Sequence, residues 1–175
     1  MRGNKRGQIW IETVIYTLVA FVMIGLVLTF VKPKLIELQD QAIIEQSLVM
    51  MQEIDNIILD IKDIPGNKRL IKLEIKKGSL KIDGENDKLF FEIESNNQFS
   101  EPDEQIDIGG IEVVTQTRGN YNLISLTKDY SDQYNIKYDG REESKTITKA
   151  AIDYTLSISN DGTDEGVPRI NIVFS

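Results

Sequence analysis

A chain of 175 residues has room for one domain of ordinary size plus an anchoring element. It contains no cysteine and no histidine, which excludes disulfides, Cys-ligated metals, Cys nucleophiles and histidine acid–base chemistry. The formal charge is −8, and setting aside the +3 of Arg2, Lys5 and Arg6 leaves −11 after Gly7. So acidic a chain argues against nucleic acid as a partner, because phosphate binding needs a basic face.

The first predicted element is apolar. Gln8 to Val31 is 24 residues with one charge, Glu12, and Thr13 to Val31 has none. A helix needs about 20 such residues to span a bilayer core, so a transmembrane segment is predicted over 8–31. The cationic flank places the N-terminus in the cytoplasm and the remainder outside as a single-pass protein, with Lys32 and Lys34 on the far flank as an opposing signal. The run is longer than the roughly 7 to 15 apolar residues of a conventional signal peptide, and no A-x-A-like site follows it. Trp10 suits a membrane interface.

Beyond Pro33 the apolar residues return at helical spacing: Ile36, Ile43, Ser47, Met50, Ile54, Ile57 and Ile61, with Ile44, Leu48, Met51 and Ile58 widening the stripe. This predicts an amphipathic helix over 32–62 with one buried face, and Glu37, Asp40, Glu45, Glu53 and Asp60 at the intervening positions. The stretch "IPGNKR" ends it. A continuous helix from Gln8 to about Lys62 would be roughly 80 Å long. Pro33 removes one helical hydrogen bond and is expected to bend the rod.

From Leu70 the period changes to two. In "LIKLEIKK", Ile71, Leu73 and Ile75 alternate with Lys72, Glu74 and Lys76, as in a half-buried strand. The pattern recurs in "SLKID", "KLFFEIE", "AIDYTLSIS" (Ile152, Tyr154, Leu156, Ile158) and "RINIVF". The clusters "DGEND", "NNQFSEPDEQ", "DGREES" and "NDGTDEG" are predicted turns, and Gly109–Gly110 a bulge or bend. The expected fold class is α+β: a long N-terminal transmembrane and amphipathic helix, then an antiparallel β-sandwich-like head over 68–175 with about eight strands, packed on the lower part of the helix.

The junction "KRG" followed by "QIWIE" and an uncharged apolar run resembles the class III signal peptide of archaeal type IV pilins. The likeness covers roughly residues 5–34 and the plan of long helix followed by β-rich head. It implies a leader over 1–7 with basic Lys5 and Arg6, cleavage between Gly7 and Gln8 by a prepilin peptidase, and a mature chain whose fifth residue is Glu12. Gln at the first mature position, after Arg-Gly, fits archaea; the bacterial counterparts typically begin with Phe. The resemblance further implies polymerisation with itself or related pilins, an assembly platform and ATPase machinery, and an extracellular filament used in adhesion. In that family Glu12 would register subunits by pairing with a neighbour's freed amine. A carboxylate in an apolar helix is costly and usually marks a partner. The other reading of Glu12 is a first-turn acid favoured by the helix dipole that snorkels to the headgroups.

No enzyme is expected. Nucleotide-binding and hydrolase motifs are missing from the sequence, and no cofactor or metal is implied. The acidic turns with Asp83, Glu85 and Asp87 and with Asp161, Asp164 and Glu165 do not match the calcium-loop pattern. The competing function is an uncleaved single-pass anchor carrying an extracellular binding domain.

Overall fold

The structure, a computed structural model, describes residues 5–175, with side chains from Trp10 onward. The first four positions of the expected leader lie outside the described residues. Helix α1 runs Lys5–Ile61 and continues through Pro33. It begins before Gln8, since a lone Gly7 lowers helix propensity by only about 1 kcal/mol and stops nothing. At the other end Lys62 N–H still bonds to Ile58 O at 2.9 Å, so the expected boundary holds within a residue.

The chain forms two compact units, one up to Gln39 and one from Asp40 to Ser175. Among the described residues the first is helix alone. The second contains the rest of α1 and ten strands: β1 Lys68–Leu73, β2 Ser79–Asp83, β3 Lys88–Ser95, β4 Gln105–Ile108, β5 Ile111–Arg118, β6 Tyr121–Asp129, β7 Asn135–Tyr138, β8 Ser144–Thr148, β9 Tyr154–Asp164 and β10 Val167–Phe174. They make a four-stranded sheet, β1-β9-β10-β7, and a six-stranded sheet, β4-β5-β6-β3-β2-β8. The fold is α+β with a β-sandwich-like head, antiparallel except that β7 and β10 pair in parallel. Period-two patterning builds it: in β3, Leu89, Phe91, Ile93 and Ser95 point inward while Glu92 and Glu94 stay out.

Ile44, Leu48, Met51, Ile54, Ile58 and Ile61 of α1 share one core with Leu80, Ile82, Phe91 and Ile93 of the larger sheet and Leu156, Ile158, Ile170 and Ile172 of the smaller. The helix is therefore part of the head's interior. Its buried stripe is centred one step away from the predicted one. Ile43, Met50 and Ile57 are half-buried and Ile36 is exposed, whereas Ile44, Met51 and Ile58, read as widening positions, are fully buried. Asp40, expected among the solvated positions, is buried with them.

Three strand expectations are corrected. β1 stops at Leu73, and Ile75 is buried from the loop that follows. Ile152 is exposed and precedes β9, which starts at Tyr154. "NDGTDEG" is mostly strand: β9 continues to Asp164, and only Glu165 and Gly166 turn, both at positive φ. Gly109 and Gly110, with φ of 64° and 80°, are the two central residues of a tight β4–β5 hairpin that pairs Ile108 with Ile111. Successive positive φ values suit a turn matching strand twist, and glycine adopts them without strain.

Candidate anchoring and assembly surface

In the first unit every described residue from Trp10 to Ile36 is exposed. The apolar side chains, among them Ile11, Ile15, Val19, Met23, Val27, Val31, Leu28 and Phe21, occupy all sides of the helix. A helix apolar all round belongs in lipid or among other helices. Its hydroxyls fit such surroundings: Thr17 donates to Thr13 O and Thr29 to Gly25 O, each at 2.8 Å. These bonds satisfy the hydroxyls within the helix. By length and composition α1 is able to cross a membrane. At the far end Lys34 pairs with Glu37 at 2.7 Å.

Lys5, Arg6, Gly7 and Gln8 fall in the first turns of α1, and their side chains lie outside the described residues. Glu12 is exposed and makes no ion pair or side-chain hydrogen bond among the described residues. Pro33 lies inside α1, between the apolar run and Lys34.

Within the second unit, four polar side chains fasten α1 to the strands. Asp40 receives Lys77 Nζ at 2.7 Å on one oxygen, and Asn96 N–H at 3.1 Å and Ser95 Oγ at 3.3 Å on the other. Burial works against its charge, but Lys77, the Asn96 N–H and Ser95 together hold the carboxyl below its usual range. Fifteen residues along the same face, Asp55 accepts from Lys128 at 2.8 Å and from the Tyr130 hydroxyl at 3.1 Å. Burial, and then the Asp55 charge, push the Tyr130 phenol well above its usual pKa. Gln52 donates to Ile108 O at 3.2 Å, on the β4–β5 hairpin. A Cβ at Gly109 would collide with the Gln52 amide.

The fourth fastening is at the helix end. The last four carbonyls of a helix lack internal partners, and α1 has no basic residue in its last turn. Asn160, buried in β9, donates from Nδ2 to Ile61 O at 2.9 Å and Lys62 O at 2.7 Å. Its own N–H bonds to Asn67 O, and its O accepts from Gly66 N–H.

No protein-family model, curated protein or solved structure matches the chain.

Sequence reasoning missed Asp55, Lys77, Lys128, Tyr130 and Asn160. For the two aspartates the signal was present. Asp40, Ile44, Ser47, Met51, Ile54, Asp55, Ile58 and Ile61 advance at helical steps, and both acids fall on that face. Treating a carboxylate as a solvent marker hid them. The acidic turns are also used internally. Asp83 is buried and accepts from Lys81, Asn86 and Ser144, while Asp87 accepts Ile136 N–H at 2.7 Å. Asp161 accepts from Ser159.

Proposed function

We propose that the chain is a structural subunit of a type IV pilus-like surface filament. It enters the membrane through α1, and a prepilin peptidase that reads Lys5, Arg6 and Gly7 cuts before Gln8. Assembly-platform and ATPase machinery then polymerises it through the apolar part of α1, displaying the β head outside the cell as an adhesive or structural surface. The junction "KRGQIWIE" supports this reading. The observation that carries it is the helix from Trp10 to Val31, apolar and exposed on every side with Glu12 as its one charge. An anchor needs no such charge. In a bundle of helices drawn out of lipid, Glu12 paired with the Gln8 amine of a neighbour penalises every wrong stagger, because a misaligned copy leaves a charge unpaired in apolar surroundings.

The test is Glu12→Gln, compared with wild type at matched membrane levels by electron microscopy of sheared surface filaments. The expected mutant is inserted, cleaved and folded in its head, but unassembled. A Glu12 that only favours its own helix terminus is worth about 1 kcal/mol or less, and its loss leaves filaments intact. Intact mass of the native protein adds a second check. Retention of residues 1–7 in cells that have a prepilin peptidase would favour the uncleaved, membrane-anchored binding domain.

A further inference from the structure

Charge in the head is segregated along the sequence. From Asn67 to Lys81 there are six cations, Lys68, Arg69, Lys72, Lys76, Lys77 and Lys81, against one carboxylate, Glu74. From Asn96 to Thr117 there are five carboxylates, Glu101, Asp103, Glu104, Asp107 and Glu112, and no cation. The two stretches contain β1 and β4, each at one end of its sheet, with β7 and β8 at the other ends. Each therefore has one side with no strand partner among the described residues, a row of backbone donors and acceptors able to take up another strand.

The charges on these two strands and in the turn before β4 enter no ion pair among the described residues, while Arg69 donates to Asn67 Oδ1 at 3.3 Å and Asp107 accepts Gly110 N–H at 3.1 Å. Lys76, Lys77 and Lys81 are engaged by Glu74, Asp40 and Asp83. Lys68, Arg69 and Lys72 are exposed and make no ion pair among the described residues, and the same holds for Glu101, Asp103, Glu104 and Asp107. The edges also meet different faces of α1. Ile43 and Met50 line an open groove of about 160 Å³ with Lys72 to Lys76, beside the end of β1. Gln52 reaches Ile108 at the end of β4. Met50 and Gln52 are about 200° apart around a helix.

We infer that the head is a self-docking module in which the cationic β1 edge of one copy seats beside the carboxylate β4 edge of the next. The inference deepens the filament reading and rests on it. Pairing β1 with β1, or β4 with β4, sets like charges opposite each other, which is unfavourable across strands. Seating β1 beside β4 brings Lys68, Arg69 and Lys72 to Asp107 on β4 and to Glu101, Asp103 and Glu104 in the turn that precedes it. Leu70, 65% exposed, and the half-buried Ile106 and Ile108 supply apolar contact. Lysines that guard a strand edge against its own kind thus select an acidic one. Two different surfaces meet, so the contact builds a ring or an open assembly and not a two-fold dimer.

A carbodiimide, which joins an amine to a carboxylate without a spacer, tests this on cells producing the full chain, in both their membranes and any sheared filaments. The expected product is a denaturant-resistant ladder extending past the dimer. Its cross-linked peptides join Lys68 or Lys72 to Glu101, Asp103, Glu104 or Asp107. Lys68→Glu, Arg69→Glu and Lys72→Glu together should lower the ladder at least tenfold. Adding Glu101→Lys, Glu104→Lys and Asp107→Lys to the same chain should restore it through the exchanged residues. A ladder that stops at the dimer, links through other residues, coupling to a different protein, or failure of the exchanged chain to recover with wild-type circular dichroism each overturn the inference. Filaments without these links overturn the interface alone. The links in membranes of cells that make no filaments uphold the interface and overturn the filament reading.

Discussion

At position 160 one asparagine joins the end of the helix to the sheet. Its amide satisfies Ile61 O, the last carbonyl of α1, and Lys62 O just after it. Asn160→Ala should remove both bonds, leaving Ile61 O with only the Ile64 N–H, and cost about 1–3 kcal/mol, and Asn160→Asp should cost more by setting a charge against them. Denaturant melts of the full chain in detergent, followed by circular dichroism, would measure both. A cost below about 0.5 kcal/mol for Asn160→Ala would show that water replaces the amide. A second residue sets the acid limb of stability. Burial alone would raise the Asp83 carboxyl, but Lys81, Asn86 and Ser144 outweigh it and hold it at about 2, against an ordinary 3.8. A depressed carboxyl stabilises fully above its unfolded pKa and loses that contribution as pH falls through the folded value. Lys88 acts in the same direction on Asp129, also at about 2. Stability should therefore decline from about pH 4 toward pH 2. Asp83→Asn should flatten that decline by on the order of 2 kcal/mol. An unchanged slope would show that the Asp83 interactions persist in the unfolded chain.

At the scale of the element, α1 changes its surroundings along its length with no break in its backbone. From Trp10 to Ile36 its apolar side chains are exposed, and from Asp40 one face is buried in the head. Ile58 is completely buried while Val49 is 61% exposed. Ile58→Ala should cost about 2–5 kcal/mol through lost transfer energy and an unfilled cavity. Val49→Ala should lie within about 0.5 kcal/mol. Thermal or urea unfolding of the two variants ranks the faces directly, and a costlier Val49 would overturn the assigned orientation of α1. The existence of an amphipathic stripe was legible because apolar residues recur every three or four positions. Its centre was not, because a run with isoleucine at 43, 44, 57 and 58 is apolar over more than the face that is buried.

For the whole molecule, the head is incomplete without its part of the helix. Removing residues 1–62 takes Ile44, Leu48, Met51, Ile54, Ile58 and Ile61 out of the core and deprives Lys77, Lys128 and Tyr130 of Asp40 and Asp55. A chain beginning at Leu35 keeps all of these. It should unfold cooperatively in denaturant, whereas one beginning at Asp63 should show no cooperative transition and should bind a hydrophobic dye through its uncovered core. Equal melting of the two would show that the strands close without α1.

The fold class, the apolar run with its lone Glu12, the amphipathic stretch after Pro33 and the alternating strands were all legible before folding, because each is a local periodicity of side chains along a regular backbone. Folding settled which strands are neighbours, that β7 runs parallel to β10, and that β9 continues through a stretch of turn-forming residues. It also decided that Asp40 and Asp55 face inward. The fastening of the helix depends on groups far apart in the chain, 37 residues for Asp40 with Lys77 and 99 for Ile61 with Asn160. A buried carboxylate is tolerable only where a cation and hydrogen-bond donors converge on it, and that convergence is created by folding.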